Sequence, residues 1–217
     1  MRLLTRLRKI RSAFRRSVRK LRKPQGRAIL VILFLFVVSS AFISPLMNDS
    51  INPAAYKPLL HIIAKGESHG NYNAFFGSPT NTTISFTDMR IDEVLAWQKS
   101  YVAEGAVSNA VGKYQIIHPT LEGLVAQLSI DPSTRFDEPT QDRLAIALID
   151  RRGAKEFAQK QISADQFAAN LAMEWAALPN IQRHDSESSY YANDGINQSH
   201  ISSTEMRAAI REFEARL

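Results

Sequence analysis

The sequence predicts a mainly α (α+β) domain with one small β-hairpin, preceded by a single transmembrane helix. Three observations carry that prediction. An unbroken apolar run occupies residues 28–43, the charges on its two sides are of opposite sign, and from Tyr56 onward amphipathic stretches alternate with residues that start and stop helices. A chain of 217 residues, 45% hydrophobic and 22% charged, suffices for one sizeable core plus an appendage and is not a disordered polymer. With no cysteine, disulfides and thiolate metal sites are excluded.

The first element is basic. Residues 1–27 carry twelve Lys and Arg and no acid, which leaves fifteen bases against 21 acids in the rest. The formal charge of +6 is therefore the sum of a +12 segment and a −6 remainder. Leu3, Leu7, Ile10, Phe14, Val18 and Leu21 recur at steps of three and four, so one helical face is apolar and the other basic. Such a helix lies on anionic lipid head groups. An arm binding nucleic acid is the rival reading. The adjacent apolar run weighs against it, and no nucleic-acid partner is expected.

The second element is that run. Ala28 to Met47 is twenty residues without a charge, and at ~1.5 Å per residue it reaches the ~30 Å of a bilayer core. Bases on its N-terminal flank place the N-terminus in the cytoplasm and the remainder outside. A secretory signal cleaved near Ser39-Ser40-Ala41 would use the same run, but a basic region of 27 residues is long for one, so an uncleaved anchor is preferred. Residues 48–55 read as a linker and 56–217 as the outer domain.

Within that domain, Lys57 to about Gly66 reads as a helix with Leu59, Leu60, Ile62 and Ile63 inward. Residues 68–90 are turn-rich, with Thr83–Thr87 as the candidate strand of the hairpin. Asp92 is placed to cap a helix through Val94, Leu95 and Trp97. Pro119 opens a helix covering Leu121, Leu124 and Leu128, and Pro139 opens one ending at Arg151-Arg152-Gly153. There the two bases suit the C-terminal dipole and the glycine a left-handed cap. Ser163 with Gln166, and Ser202 with Glu205, have capping-box spacing for the last two helices, with Pro179 to Ser199 irregular between them.

Glu67 stands where the first of these helices runs into polar loop. A carboxyl partly buried beside aromatic groups stays protonated near neutral pH and can donate to a leaving oxygen; an ordinary exposed helix-end glutamate is the alternative. Five blocks decide between them: Glu67-Ser68-His69-Gly70-Asn71-Tyr72-Asn73-Ala74, Phe86-Thr87-Asp88, Asn109 to Thr120 with Gly112-Lys113-Tyr114-Gln115 at its centre, Gln141-Asp142-Arg143-Leu144-Ala145, and Trp175-Ala176-Ala177-Leu178-Pro179. In order and spacing they resemble the lysozyme-like lytic transglycosylases, and among these the lambda-endolysin family, glycoside hydrolase family 104. The resemblance covers residues 57–216. The first 55 residues depart from that soluble arrangement.

What the resemblance implies is a lysozyme-like fold acting on peptidoglycan glycan strands at the β-1,4 bond between N-acetylmuramic acid and N-acetylglucosamine. Glu67 would serve as general acid and then as general base toward the muramoyl C6 hydroxyl, giving a 1,6-anhydromuramoyl product. Tyr114 and Gln115 fall in the block that lines the sugar groove, and Tyr190 in a loop from which lysozyme-like folds supply a tyrosine; for Tyr114 and Tyr190, packing is an equally good explanation. Ser68 is expected to orient Glu67, since no Gly-x-Ser-x-Gly context surrounds it. Trp97 and Trp175 read as core. The setting implied is a bacterial inner membrane, crossed once by residues 28–47, with the catalytic domain periplasmic or otherwise extracytoplasmic, or secreted where the run is cleaved.

Residues 68–87 contain no acid, and the nearest downstream are Asp88 and Asp92. A hydrolytic glycosidase usually needs a second carboxylate, so this favours transglycosylation. A muramidase using the same Glu67, and a catalytically silent wall-binding module, are the alternatives. His61, His69, His118, His184 and His200 have no metal-ligand spacing, so neither metal nor other cofactor is expected.

Overall fold

A computed structural model describes residues 50–217; the basic segment, the apolar run and the first residues of the linker lie outside the described residues. A 3-10 turn, Pro53–Tyr56, opens the domain, its Ala54 N–H held by the Asn52 side chain. Helix α1 (Lys57–Ser68) follows, with Pro58 in its first turn and Leu59, Leu60, Ile62 and Ile63 all buried. It runs two residues beyond Gly66, so Glu67 lies in its last turn rather than in the loop, and His69 ends it at φ 54°.

The other helices are α2 (Ile91–Ala103), α3 (His118–Gln127), α4 (Glu138–Arg151), α5 (Ala154–Ala158), α6 (Ala164–Ala172) and α7 (Ser203–Glu214). Pro119 and Pro139 occupy first turns as their sequence positions suggest. Ser163 caps α6 through the Gln166 N–H, and Ser202 with Glu205 forms a reciprocal capping box on α7. Gly153, at φ 102°, ends α4 and turns straight into α5, a short helix with no separate sequence signal. Asp92 is not the α2 cap. The Arg90 N–H donates to Glu93 Oε2 at 2.7 Å, while Asp92 pairs with the Arg90 guanidinium from inside the helix.

The hairpin is absent: the described residues contain isolated β-bridges, such as Phe75 with Val111, but no strand. The candidate strand Thr83–Thr87 instead bends into a 3-10 turn, Phe86–Asp88. Asparagine side chains occupy its groups, Asn73 Oδ1 accepting from the Thr87 N–H. Asn81 Oδ1 accepts from the Thr83 and Ile84 N–H groups, and its Nδ2 donates to the carbonyls of Asn73 and Ile84. A side chain that satisfies these backbone groups removes the partners a ladder would use.

The core runs from α1, packed on α7, through α6 on α7, to α2 against α3. Phe157, Phe167 and Phe213 knit α5, α6 and α7 together, and Tyr56 joins them from the start of the domain. A second aromatic group, Phe75, Phe86, Trp97 and Tyr101, holds the turn-rich segment on α2. Residues 179–199 form neither helix nor strand. Among the described residues, no helix is long and apolar enough to cross a membrane.

Candidate active site

The last turn of α1 and the segment 174–178 approach each other closely at one glycine. A Cβ on Gly66 would stand 2.8 Å from Ala177 Cβ and 3.0 Å from Ile201 Cγ1, so a side chain there would force the two segments apart. The approach sets the Ala177 N–H on Glu67 Oε1 at 3.0 Å. From the other side, the Ala177 carbonyl accepts from the His200 and Ile201 N–H groups at 2.9 and 3.2 Å. The neighbouring Trp175 is buried and its indole N–H donates to the Tyr114 carbonyl at 3.1 Å, which fixes this segment to the Gly112–Gln115 turn.

Between these parts lies a groove of about 650 Å³. Glu67 faces it partly exposed. Burial pushes its carboxyl up to about 7, against the opposing pull of the Ala177 N–H bond. A carboxyl titrating there exists in both forms near neutral pH, and can give a proton in one step and take one in the next.

Gln115 is the second sequence-identified residue in the groove. Its backbone is left-handed at φ 47° and its Nε2 donates to the Gly112 carbonyl at 2.9 Å. Tyr114 is a wall of the groove but only 1% exposed, with no free ring face for a sugar. Its hydroxyl donates to Asp142 Oδ1 at 2.6 Å; burial first, then the Asp142 carboxylate, hold the phenol well above its ordinary range. Ser68 is likewise 1% exposed. Its hydroxyl donates to the Lys113 carbonyl at 2.7 Å and reaches Ala64 O at 3.3 Å, so it brackets α1 to the Gly112–Gln115 turn instead of meeting substrate. Tyr190 lies outside the groove. From this loop the groove is lined instead by its neighbour Tyr191, whose hydroxyl donates to the Met173 carbonyl at 2.8 Å. Sequence alone had no way to choose between adjacent tyrosines in an irregular loop.

Asp88 is exposed, 3.5 Å from Arg135, and borders a separate depression with Trp97. The acids lining the groove are Glu67 and Glu174. Glu174 was not singled out by the sequence, and Arg151 and Arg152 were read only as charges at a helix end. In the fold they meet: Arg151 Nη2 lies 3.0 Å from each Glu174 oxygen, and Arg152 Nε donates to Oε2 at 2.7 Å. Gln141, also buried, accepts from the Lys113 N–H and donates to the carbonyls of Tyr72 and Phe136, stitching three loops behind the groove wall. No group of three or more His, Asp or Glu is placed to hold a metal ion among the described residues.

A protein-family model described as Endolysin matches residues 61–196, which include Glu67, Tyr114, Gln115, Arg151, Arg152, Glu174 and Tyr191. No curated protein and no solved structure matches the chain.

Proposed function

The chain belongs to the endolysin family of peptidoglycan-degrading enzymes, and from that premise we propose that it is a lytic transglycosylase, with Glu67 as both acid and base. One observation carries the choice: among the described residues two acids line the groove, and of these only Glu67 lacks a cationic partner. Hydrolysis uses a second free carboxylate, as nucleophile at ~5–5.5 Å or as base for water at ~6.5–9.5 Å. Both oxygens of Glu174 are held by guanidinium groups, and Asp88 is elsewhere.

With one carboxylate the chemistry closes as follows. Protonated Glu67 gives its proton to the glycosidic oxygen as the bond from muramoyl C1 to that oxygen breaks, releasing the N-acetylglucosaminyl hydroxyl. The Glu67 carboxylate then takes the proton of the muramoyl C6 hydroxyl as O6 bonds to C1. The ring closes to the 1,6-anhydro product, no water is consumed, and Glu67 is protonated again. Its carboxyl near 7 suits both steps.

Mass spectrometry of muropeptides released by wild type and Glu67→Gln tests this. Anhydromuramoyl ends, lost in the variant, are the expected result. Reducing ends would identify a muramidase; cleavage surviving in Glu67→Gln would remove that residue from the chemistry; and no cleavage by wild type would favour a wall-binding module.

We further propose that residues 28–47 remain as an anchor in the bacterial inner membrane, with residues 1–27 on the cytoplasmic leaflet and the enzyme domain facing the wall. The twelve bases before the run and the acidic remainder after it support this topology. Retention in membranes through an alkaline carbonate wash is the expected behaviour. A soluble product beginning near Ala41 would identify a cleaved signal instead.

A further inference from the structure

Among the described residues, Arg151 and Arg152 are the only Lys or Arg lining the groove. Neutralising Glu174 takes one guanidinium; two surround it, so the cluster keeps a charge of +1. That surplus stands in a part of the chain, residues 28–217, whose net charge is −6. The Glu174 side chain is 9% exposed while those of Arg151 and Arg152 are 43% and 26% exposed, so the carboxylate lies beneath and the cations reach solvent. Donors remain unspent. Arg151 uses Nη2 on Glu174, and Arg152 uses Nε on Glu174 and Nη2 on the Met173 carbonyl at 3.2 Å; Arg151 Nε and Nη1 and Arg152 Nη1 have no bond to the described protein. Tyr191 shares the Met173 carbonyl and closes the cluster at the groove surface. The arrangement is a pair of cations fixed in place by a buried acid, with open donors facing the space where a glycan would lie.

Guanidinium groups with free, oriented donors select carboxylates over neutral acceptors. A bare chain of N-acetylhexosamines offers none. The acidic groups of a peptidoglycan strand hang from its muramic acid: carboxylates of the stem peptide, or the lactyl carboxylate where the peptide has been removed. We propose that Arg151 and Arg152 form a carboxylate-binding subsite of the groove, with Glu174 as its positioning residue, through which the enzyme recognises muramic acid by its acidic substituent. This rests on the wall-glycan reading above.

The test is a binding measurement in the full chain carrying Glu67→Gln, so that no turnover intervenes. Calorimetry would compare peptide-bearing strands, peptide-stripped strands, and both after chemical amidation of their carboxylates. Arg151→Gln is the informative variant, because Arg152 still pairs Glu174 and the buried acid is not orphaned. It is expected to weaken binding of an acidic strand about tenfold while leaving the amidated forms within twofold, and Arg151→Lys is expected to recover part of the loss. Weakening confined to peptide-bearing strands assigns the carboxylate to the stem; weakening confined to stripped strands assigns it to the lactyl group. Equal weakening on amidated strands, or none on either acidic strand, overturns the subsite. Failure of the enzymatic reading shows separately, as absence of cleavage by the wild-type chain.

Discussion

Glu67 holds a proton that its unfolded counterpart gives up at lower pH. Its folded carboxyl titrates at about 7 and its unfolded one near 4.5, so the protonated form is the one the fold favours. The stability linked to that proton is complete below about pH 4.5 and is lost as the pH rises through 7, a change of at most about 3 kcal/mol. Glu67→Gln, which cannot ionise, is therefore expected to abolish wall cleavage and yet melt higher than wild type at pH 8, with the two alike at pH 4. Thermal melts at the two pH values check it, and a variant less stable at pH 8 would refute the assignment of burial as the cause. The same ionisation predicts a basic limb near pH 7 in the profile of kcat/KM on purified sacculi. The motif around Glu67 made this residue visible in the sequence. The extent of its burial, which raises the carboxyl, and the Ala177 N–H that partly opposes the rise were not visible, since the fold alone brings segment 174–178 against it. Arg151 and Arg152 were hidden in the same way: beside Gly153 they read as a helix end, and only Glu174, twenty-two residues beyond Arg152, turns them toward the groove.

Two of the described helices contain a glycine, and their surroundings give it opposite meanings. Gly123 lies in α3 with nothing within 4 Å of an added Cβ, so Gly123→Ala is expected to stabilise the domain by about 0.5–1 kcal/mol through helix propensity alone. Gly66→Ala gains the same propensity but drives a methyl into Ala177 and Ile201, at a cost of about 1–3 kcal/mol. Because Ala177 also holds Glu67, the Gly66 variant should lose kcat more than KM, and chemical denaturation beside steady-state kinetics would separate the two effects. Equal behaviour of the two variants would show that the close approach does not govern the site. The elements followed the sequence wherever an apolar period met a local start signal, a first-turn proline at α1, α3 and α4 or a capping side chain at α4, α6 and α7. They departed where polar side chains settled the backbone: Asn81 and Asn73 prevent the strand, and Glu93 reaching back to Arg90 starts α2 ahead of Asp92.

At the scale of the whole chain, the proposed topology rests on the placement of charge, twelve bases before the apolar run and a net −6 from residue 28 onward. If residues 1–27 coat an anionic leaflet, a peptide of residues 1–23 binds vesicles rich in anionic lipid and is released by salt, with weak binding to neutral vesicles. Vesicle flotation checks this, and stronger binding to DNA than to anionic lipid would reverse the assignment. On the proposed topology the work divides: the tether would supply proximity to the wall, and the groove recognition.

The Ala177 peptide unit is bonded at both ends, to Glu67 through its N–H and to the His200 and Ile201 amides through its carbonyl. Hydrogen bonds in series polarise one another, so ionisation of the carboxylate is felt two residues into the chain beyond it. The backbone amide resonances of Ala177, His200 and Ile201 are therefore expected to titrate together with a midpoint near 7, a nuclear magnetic resonance signature absent from Glu67→Gln. The fold thus carries its own spectroscopic reporter of the proton that the proposed reaction moves.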